Sequence, residues 1–152
     1  TVVFGLAGKK GIEQTFRISS ERPGVIQRLN REIMHPYATA AGLIGLAFAD
    51  EESFLLQNER WPFSEFVLML WQKRAALDAC LEEIRHTKIA VSPFDRDIFL
   101  RISGAILEPS GRLVAAIGAS VPVSQLREGD RLRIESEVRA AAGRLSRTPG
   151  GC

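Results

Sequence analysis

Few side chains in this sequence are placed to do chemistry, and the one that stands out is Arg101. It falls within Leu100 to Leu107 (LRISGAIL), a β-branched run joined by Glu108-Pro109-Ser110-Gly111 to a second such run, Arg112 to Ser120 (RLVAAIGAS). Turn residues between two strand-forming segments predict a hairpin. If the turn sets Leu107 opposite Arg112, then Ala105 opposes Val114, Ser103 opposes Ala116 and Arg101 opposes Gly118. One face then shows Arg101, Ser103, Ala105, Val114, Ala116, Gly118 and Ser120, a single cation among small residues that leave room above the sheet. A guanidinium can hold a carboxylate through two parallel charge-assisted bonds, each contributing about 1.5 to 3 kcal/mol. Ser103 and Ser120 add hydroxyls, and apolar walls would supply the remainder of the roughly 8 kcal/mol that a micromolar ligand requires. The competing reading pairs Arg101 internally with Asp95, Asp97 or Glu13, or lets it snorkel at a sheet edge.

Other chemistry is not spelled out. Gly5-Leu6-Ala7-Gly8-Lys9-Lys10-Gly11 is too short for a phosphate loop, has Lys10 where a hydroxyl is needed, and is followed by strand-forming residues, so it reads as a hairpin turn. His35 and His86 are far apart, and His86 suits the negative end of a helix. No metal-ligand spacing, nucleophile elbow or ordered triad occurs, so no catalytic residue, metal site or cofactor is assigned and the expectation is a protein that is not an enzyme. The closing segment holds Arg127, Arg131, Arg133, Arg139, Arg144 and Arg147, but Glu128, Asp130, Glu135 and Glu137 interleave with them, which is the pattern of a solvated helix face. With 20 basic against 18 acidic residues the net charge is only +2, so the domain itself is not expected to grip DNA. Cys80 and Cys152 form no disulfide framework, which suits a reducing cytoplasm, and Cys80 reads as a small core residue.

The elements that must position Arg101 follow from periodicity. At 152 residues, 45% hydrophobic, the chain is long enough for one domain with its own core, and no apolar stretch approaches the roughly 20 residues of a membrane span. Thr1 to Ala7 and Ile12 to Ser19 form an opening hairpin across Gly8-Lys9-Lys10-Gly11. A mixed segment from Val25 to Met34 leads to His35-Pro36, after which Tyr37 to Phe48, rich in Ala and Gly, is predicted helical. A short helix over Glu51 to Asn58 ends at Arg60-Trp61-Pro62. From Ser64, a plausible N-cap, the spacing of Leu70, Leu77, Leu81 and Ile84 predicts one long helix to His86, then a short strand at Ile89 to Val91. A helix over about Arg127 to Arg147 closes the chain, and residues 148–152 form a flexible tail. Separated hairpins and helices imply α+β: a curved antiparallel sheet, helices packed on it, and a cavity on one face.

In order and spacing, three stretches resemble the effector-binding domain of IclR-type bacterial transcriptional regulators, over about Thr1 to Arg147. They are Tyr37-Ala38-Thr39-Ala40-Ala41-Gly42 with Leu46-Ala47-Phe48, Leu81-Glu82-Glu83-Ile84-Arg85 with Ile89-Ala90-Val91, and Ile102 to Pro122 around Gly111-Arg112-Leu113-Val114-Ala115-Ala116-Ile117. The resemblance implies a GAF-like α+β fold with helices packed on both sides of the sheet and a cupped ligand site. It also implies a winged helix-turn-helix domain before Thr1, self-association to a dimer or tetramer, DNA contact only through that absent domain, no membrane partner, and small metabolites as ligands, often organic or aromatic acids. Carried over by position, the pocket lining falls at Met34, Ala40, Ala41, Ser92, Arg101, Gly118 and Ser120, overlapping the face that the hairpin register exposes with Ser103. The chain departs from the pattern at Tyr37 (usually His), Leu43 (Lys), Lys88 (Gly) and Ser92 (an acid); Ile98 or Phe99 stands near a usual Gly, and Arg101 occupies a position commonly small or Cys. A cation gained and an acid lost favour an anionic ligand. The alternatives are a GAF-type ligand sensor of another signalling protein, a scaffold whose cavity its own side chains fill, and, third, a small enzyme.

Overall fold

Gly8 and Gly11 oppose each other across a tight Lys9-Lys10 turn, with Gly11 at φ 111°, and so join β1 (Val2–Gly8) to β2 (Gly11–Ile18) as the sequence predicts. The computed structural model describes residues 1–94 and 98–147; the expected tail, 148–152, lies outside the described residues. A third strand, β3 (Ile26–Ile33), continues the hairpin where only a mixed segment was expected. Its residues are mostly solvent-exposed on both faces, so it lacks the apolar alternation by which a half-buried strand is recognised. With β4 (Ile89–Val91), β5 (Phe99–Leu107) and β6 (Leu113–Pro122), it makes a six-stranded antiparallel sheet in the order β3-β2-β1-β6-β5-β4.

The β5–β6 register differs by two residues from the expected one: Ala105 pairs with Ala116, Ser103 with Gly118 and Arg101 with Ser120. The connection takes in Arg112 as well, because Glu108 N–H donates to Arg112 O (2.9 Å) and Gly111, at φ 86°, completes the turn. Side chains alternate with period two, so a two-residue slip leaves Arg101, Ser103, Ala105, Ala116, Gly118 and Ser120 on one face. Val114 is the exception. A bulge between Ile106 and Leu107 sends it to the opposite face, against Ile106, Ala115 and Ala142, and puts Leu113 on the face of Arg101, paired with Leu107.

Helices cover both sides. On the face of Arg101 lies α1 (Ala40–Ala47), capped by Thr39, whose hydroxyl accepts from Gly42 N–H at 3.0 Å; Tyr37, expected inside this helix, precedes it and is fully buried. Next come α2 (Glu51–Arg60), α3 (Phe63–Trp71) and α4 (Arg74–Thr87). The single helix expected from Ser64 to His86 is therefore two, and Pro62, not Ser64, stands at the cap. Gln72 turns left-handed (φ 62°) while Trp71 Nε1–H donates to Tyr37 O at 2.9 Å, so a tertiary contact breaks a helix that no Gly or Pro marks. The core here joins Ile12, Leu43, Ile44, Leu77, Leu81 and Ile84 to Ala105 and Ala116, with Cys80 packed half-buried at its margin. On the other face α5 (Asp130–Arg147) lays Val138 and Ala142 on Ile102 and Ile106. A Cβ on Gly104 would lie 2.9 Å from that of Ala142, so the bare glycine permits the helix to sit this close.

Lys88 caps α4 in the left-handed region (φ 60°, ψ 18°); its N–H reaches Ile84 O at 2.7 Å and its carbonyl accepts from Ala105 N–H at 2.9 Å. A side chain in this conformation costs about 1 to 2 kcal/mol, more than the extra chain entropy a glycine brings. Lys88→Gly is expected to stabilise the domain by about 1 kcal/mol, read in a thermal melt as a midpoint about 3 °C higher; an unchanged or lower midpoint contradicts the strain.

Candidate functional site

Between the sheet and the first turn of α1 lies a hollow of about 510 Å³. Its floor is built from strand positions without bulk: Gly5 on β1, Ala116 and Gly118 on β6, and Ser103 on β5. Gly118 leaves this space by necessity as well as by size, since a Cβ there would lie 2.5 Å from Ser103 Oγ and 2.7 Å from Ile102 O. Ala40 and Ala41 form the opposite wall, where the positive end of the α1 dipole faces the space. Hollows of similar size, 510 to 580 Å³, occur elsewhere on the surface, but each has Glu137, Glu108 or Asp50 in its wall. Here two arginines, Arg17 and Arg101, line the space and no carboxylate does among the described residues.

Seven of the eight residues expected from the sequence meet in this hollow: Met34, Ala40, Ala41, Arg101, Ser103, Gly118 and Ser120. Ser92 does not. It is buried at the end of β4, where its hydroxyl donates to Ala38 O (3.1 Å) and accepts from Phe94 N–H (3.4 Å), tying that strand to the loop before α1. Arg101 is half-buried, with its guanidinium over the Phe99 ring at 4.9 Å. Of its candidate internal partners, Asp95 and Asp97 lie outside the described residues. Glu13 is excluded: it projects with Leu6 from the other side of the sheet and bridges Arg31 at 3.3 Å.

The wall at Met34 is held stiffly. Met34 N–H donates to Ile12 O at 2.8 Å, and His35, next in the chain, packs its ring against Tyr37, Trp61 and Phe66 at centroid distances of 5.0 to 5.9 Å. Burial among these rings makes His35 less basic than an ordinary histidine, and its Nδ1 accepts from Tyr37 N–H at 3.2 Å. The neutral ring is thus a fixed part of the loop that delivers Ala40 and Ala41.

Arg17 is the charged lining residue that sequence reasoning missed, beside the polar Gln14 and Thr39. Ile12 and Gln14 point from β2 into the hollow, so strict alternation would send Phe16 inward and Arg17 out. The β1–β2 register shifts between Phe4 and Gly5, leaving Thr15 as an extra residue. Phe16 then stacks on Phe4 (4.8 Å) on the far face and Arg17 turns to the hollow. No local sequence signal marks such a bulge.

An open antiparallel sheet, helices on both faces and a hollow under one helix define an α+β domain of GAF-like architecture. No family model and no curated protein sequence matches the chain. Solved structures do: IclR of Thermotoga maritima (TM-score 0.68, 20% identity, 95% of this chain and 61% of that one), the C-terminal domain of the E. coli transcriptional regulator KdgR (0.70, 18%, 95% and 84%), and the inducer-binding domain of the Acinetobacter transcription factor PobR in complex with 3-hydroxybenzoic acid (0.70, 14%, 95% and 86%). At these identities the likeness is one of fold, and it bears out the IclR-type, GAF-like expectation for that fold. The chain spans only 58 to 61% of the length of several of the regulators it matches. These neighbours are transcriptional regulators, and no helix among the described residues is long and apolar enough to cross a membrane.

Proposed function

We propose that this chain is the small-molecule-sensing domain of a DNA-binding transcriptional regulator, and that its effector is an organic acid held by Arg101. The observation that carries the reading is the hollow itself: an arginine over a floor of Gly5, Ala116 and Gly118, with the hydroxyls of Ser103 and Ser120 beside it. A carboxylate there meets a guanidinium, a helix N-terminus and apolar walls at Met34, Ala40 and Ala41. The 3-hydroxybenzoic acid in complex with the inducer-binding domain of PobR, itself a carboxylic acid on a similar fold, supports this chemistry. In the whole protein a winged helix-turn-helix domain preceding Thr1 contacts operator DNA in the cytoplasm, and this domain self-associates to a dimer or tetramer without catalysing a reaction. The acid acts by preferring one arrangement of the assembly over another, and shifts the population only by that difference in affinity.

Thermal shift and titration calorimetry with a panel of organic acids test the reading. Acids are expected to raise the melting temperature of the domain, and Arg101→Ala to weaken binding about 10- to 100-fold. Equal responses from the two proteins, or none from either, would falsify it.

A further inference from the structure

The geometry points to a dianionic effector, a short dicarboxylate bridging Arg101 and Arg17 across the floor of the hollow. This rests on the sensing role proposed above and adds a second, specificity-determining residue. Arg17 pairs with Val3, Val3 with Gly118, and Gly118 with Ser103, so one row of residues runs straight across four strands. Arg101 lies one inward-facing position along β5 from the end of that row. Three strand spacings of about 4.8 Å and one two-residue step place the two Cα atoms roughly 16 Å apart. Both side chains line the space between.

The two ends are built differently. Arg101 is half-buried against Phe99 and beside Ser103 and Ser120. A guanidinium carries enough donors to serve a ligand carboxylate together with another partner. Arg17 is exposed at the rim, and its Nε donates to Gln27 Oε1 at 2.8 Å, which is its side chain's one hydrogen bond among the described residues. Gln27, its strand neighbour on β3, therefore acts as a positioning residue, and the terminal nitrogens of Arg17 remain for an anion. A monoacid would satisfy Arg101 alone. With no carboxylate in the described lining, a second negative charge on the ligand meets only attraction at the far end.

Titration calorimetry of the full chain with succinate, glutarate and adipate, each against its monomethyl ester, separates the two claims. At least one diacid is expected to bind about 10- to 100-fold more tightly than its ester. Arg17→Ala should erase that difference while leaving ester affinity unchanged, Arg17→Lys should keep part of it, and Arg101→Ala should weaken both ligands. Arg17 is exposed, so melting temperatures of its variants should match the parent and exclude a folding defect. If diacid and ester bind equally, or if Arg17→Ala preserves the gap, the dianion inference is overturned while acid sensing stands. If no acid binds at all, both fall.

Discussion

Gly42→Ala is expected to destabilise the domain by about 3 kcal/mol, although alanine is the better helix former by about 1 kcal/mol at an ordinary helix position. A Cβ at Gly42 would stand 2.1 Å from His35 O and 2.7 Å from Thr39 Oγ1. Neither atom can yield easily. His35 O accepts from Thr39 N–H (3.2 Å) and from the Thr39 hydroxyl (3.0 Å), and that hydroxyl in turn caps Gly42 N–H. Relieving the clash means pulling apart the cap, the loop and the His35 ring cluster together, so the steric cost exceeds the gain in propensity. A urea titration should show a lower midpoint with the slope preserved. A variant as stable as the parent would mean that the loop and helix are not packed this closely.

Gly118→Ala couples stability to binding. Glycine inside a strand normally weakens it, so filling the position with alanine would ordinarily gain about 0.5 to 1 kcal/mol. Here the new methyl group would press on Ser103 Oγ at 2.5 Å and on the Ile102 carbonyl at 2.7 Å. The hydroxyl can rotate away, but the carbonyl belongs to β5, which is held between β4 and β6, and cannot. We expect a loss of about 2 kcal/mol, together with loss of the thermal shift by organic acids, because the methyl group raises the floor of the hollow proposed to hold them. Retained acid response in a folded Gly118→Ala protein would show that ligands bind somewhere other than this hollow.

How far the sequence could be read depended on which physical rule placed each residue. Arg101, Ser103, Gly118 and Ser120 were legible because strand alternation survives an even slip; the two-residue error in register moved their partners but not their face. Val114 was not, since a bulge breaks the alternation on which its placement relied. Met34, Ala40 and Ala41 could not be placed beside Arg101 by any local pattern, and came only with the motif resemblance. Ser92 came the same way and was misplaced, because a hydroxyl carried over by position can be committed to backbone groups such as Ala38 O. The strand at Ile26–Ile33 and the break at Gln72 had no compositional mark: one is a solvated edge, the other is imposed by Trp71 reaching Tyr37. Arg17 combined both difficulties, a strand position whose inward aim is set by one additional residue upstream.

That additional residue makes the length of β2 an inheritable dial. Losing the single codon for Thr15 would exchange the two sides of the strand beyond it, turning the Phe16 ring toward the hollow and Arg17 toward the outside. A lineage could thereby trade a charged rim for an aromatic one in one step, with no substitution at either position. Preference for polar or ring-shaped effectors among descendants of such a domain would then track insertions and deletions in its second strand as much as changes of letter.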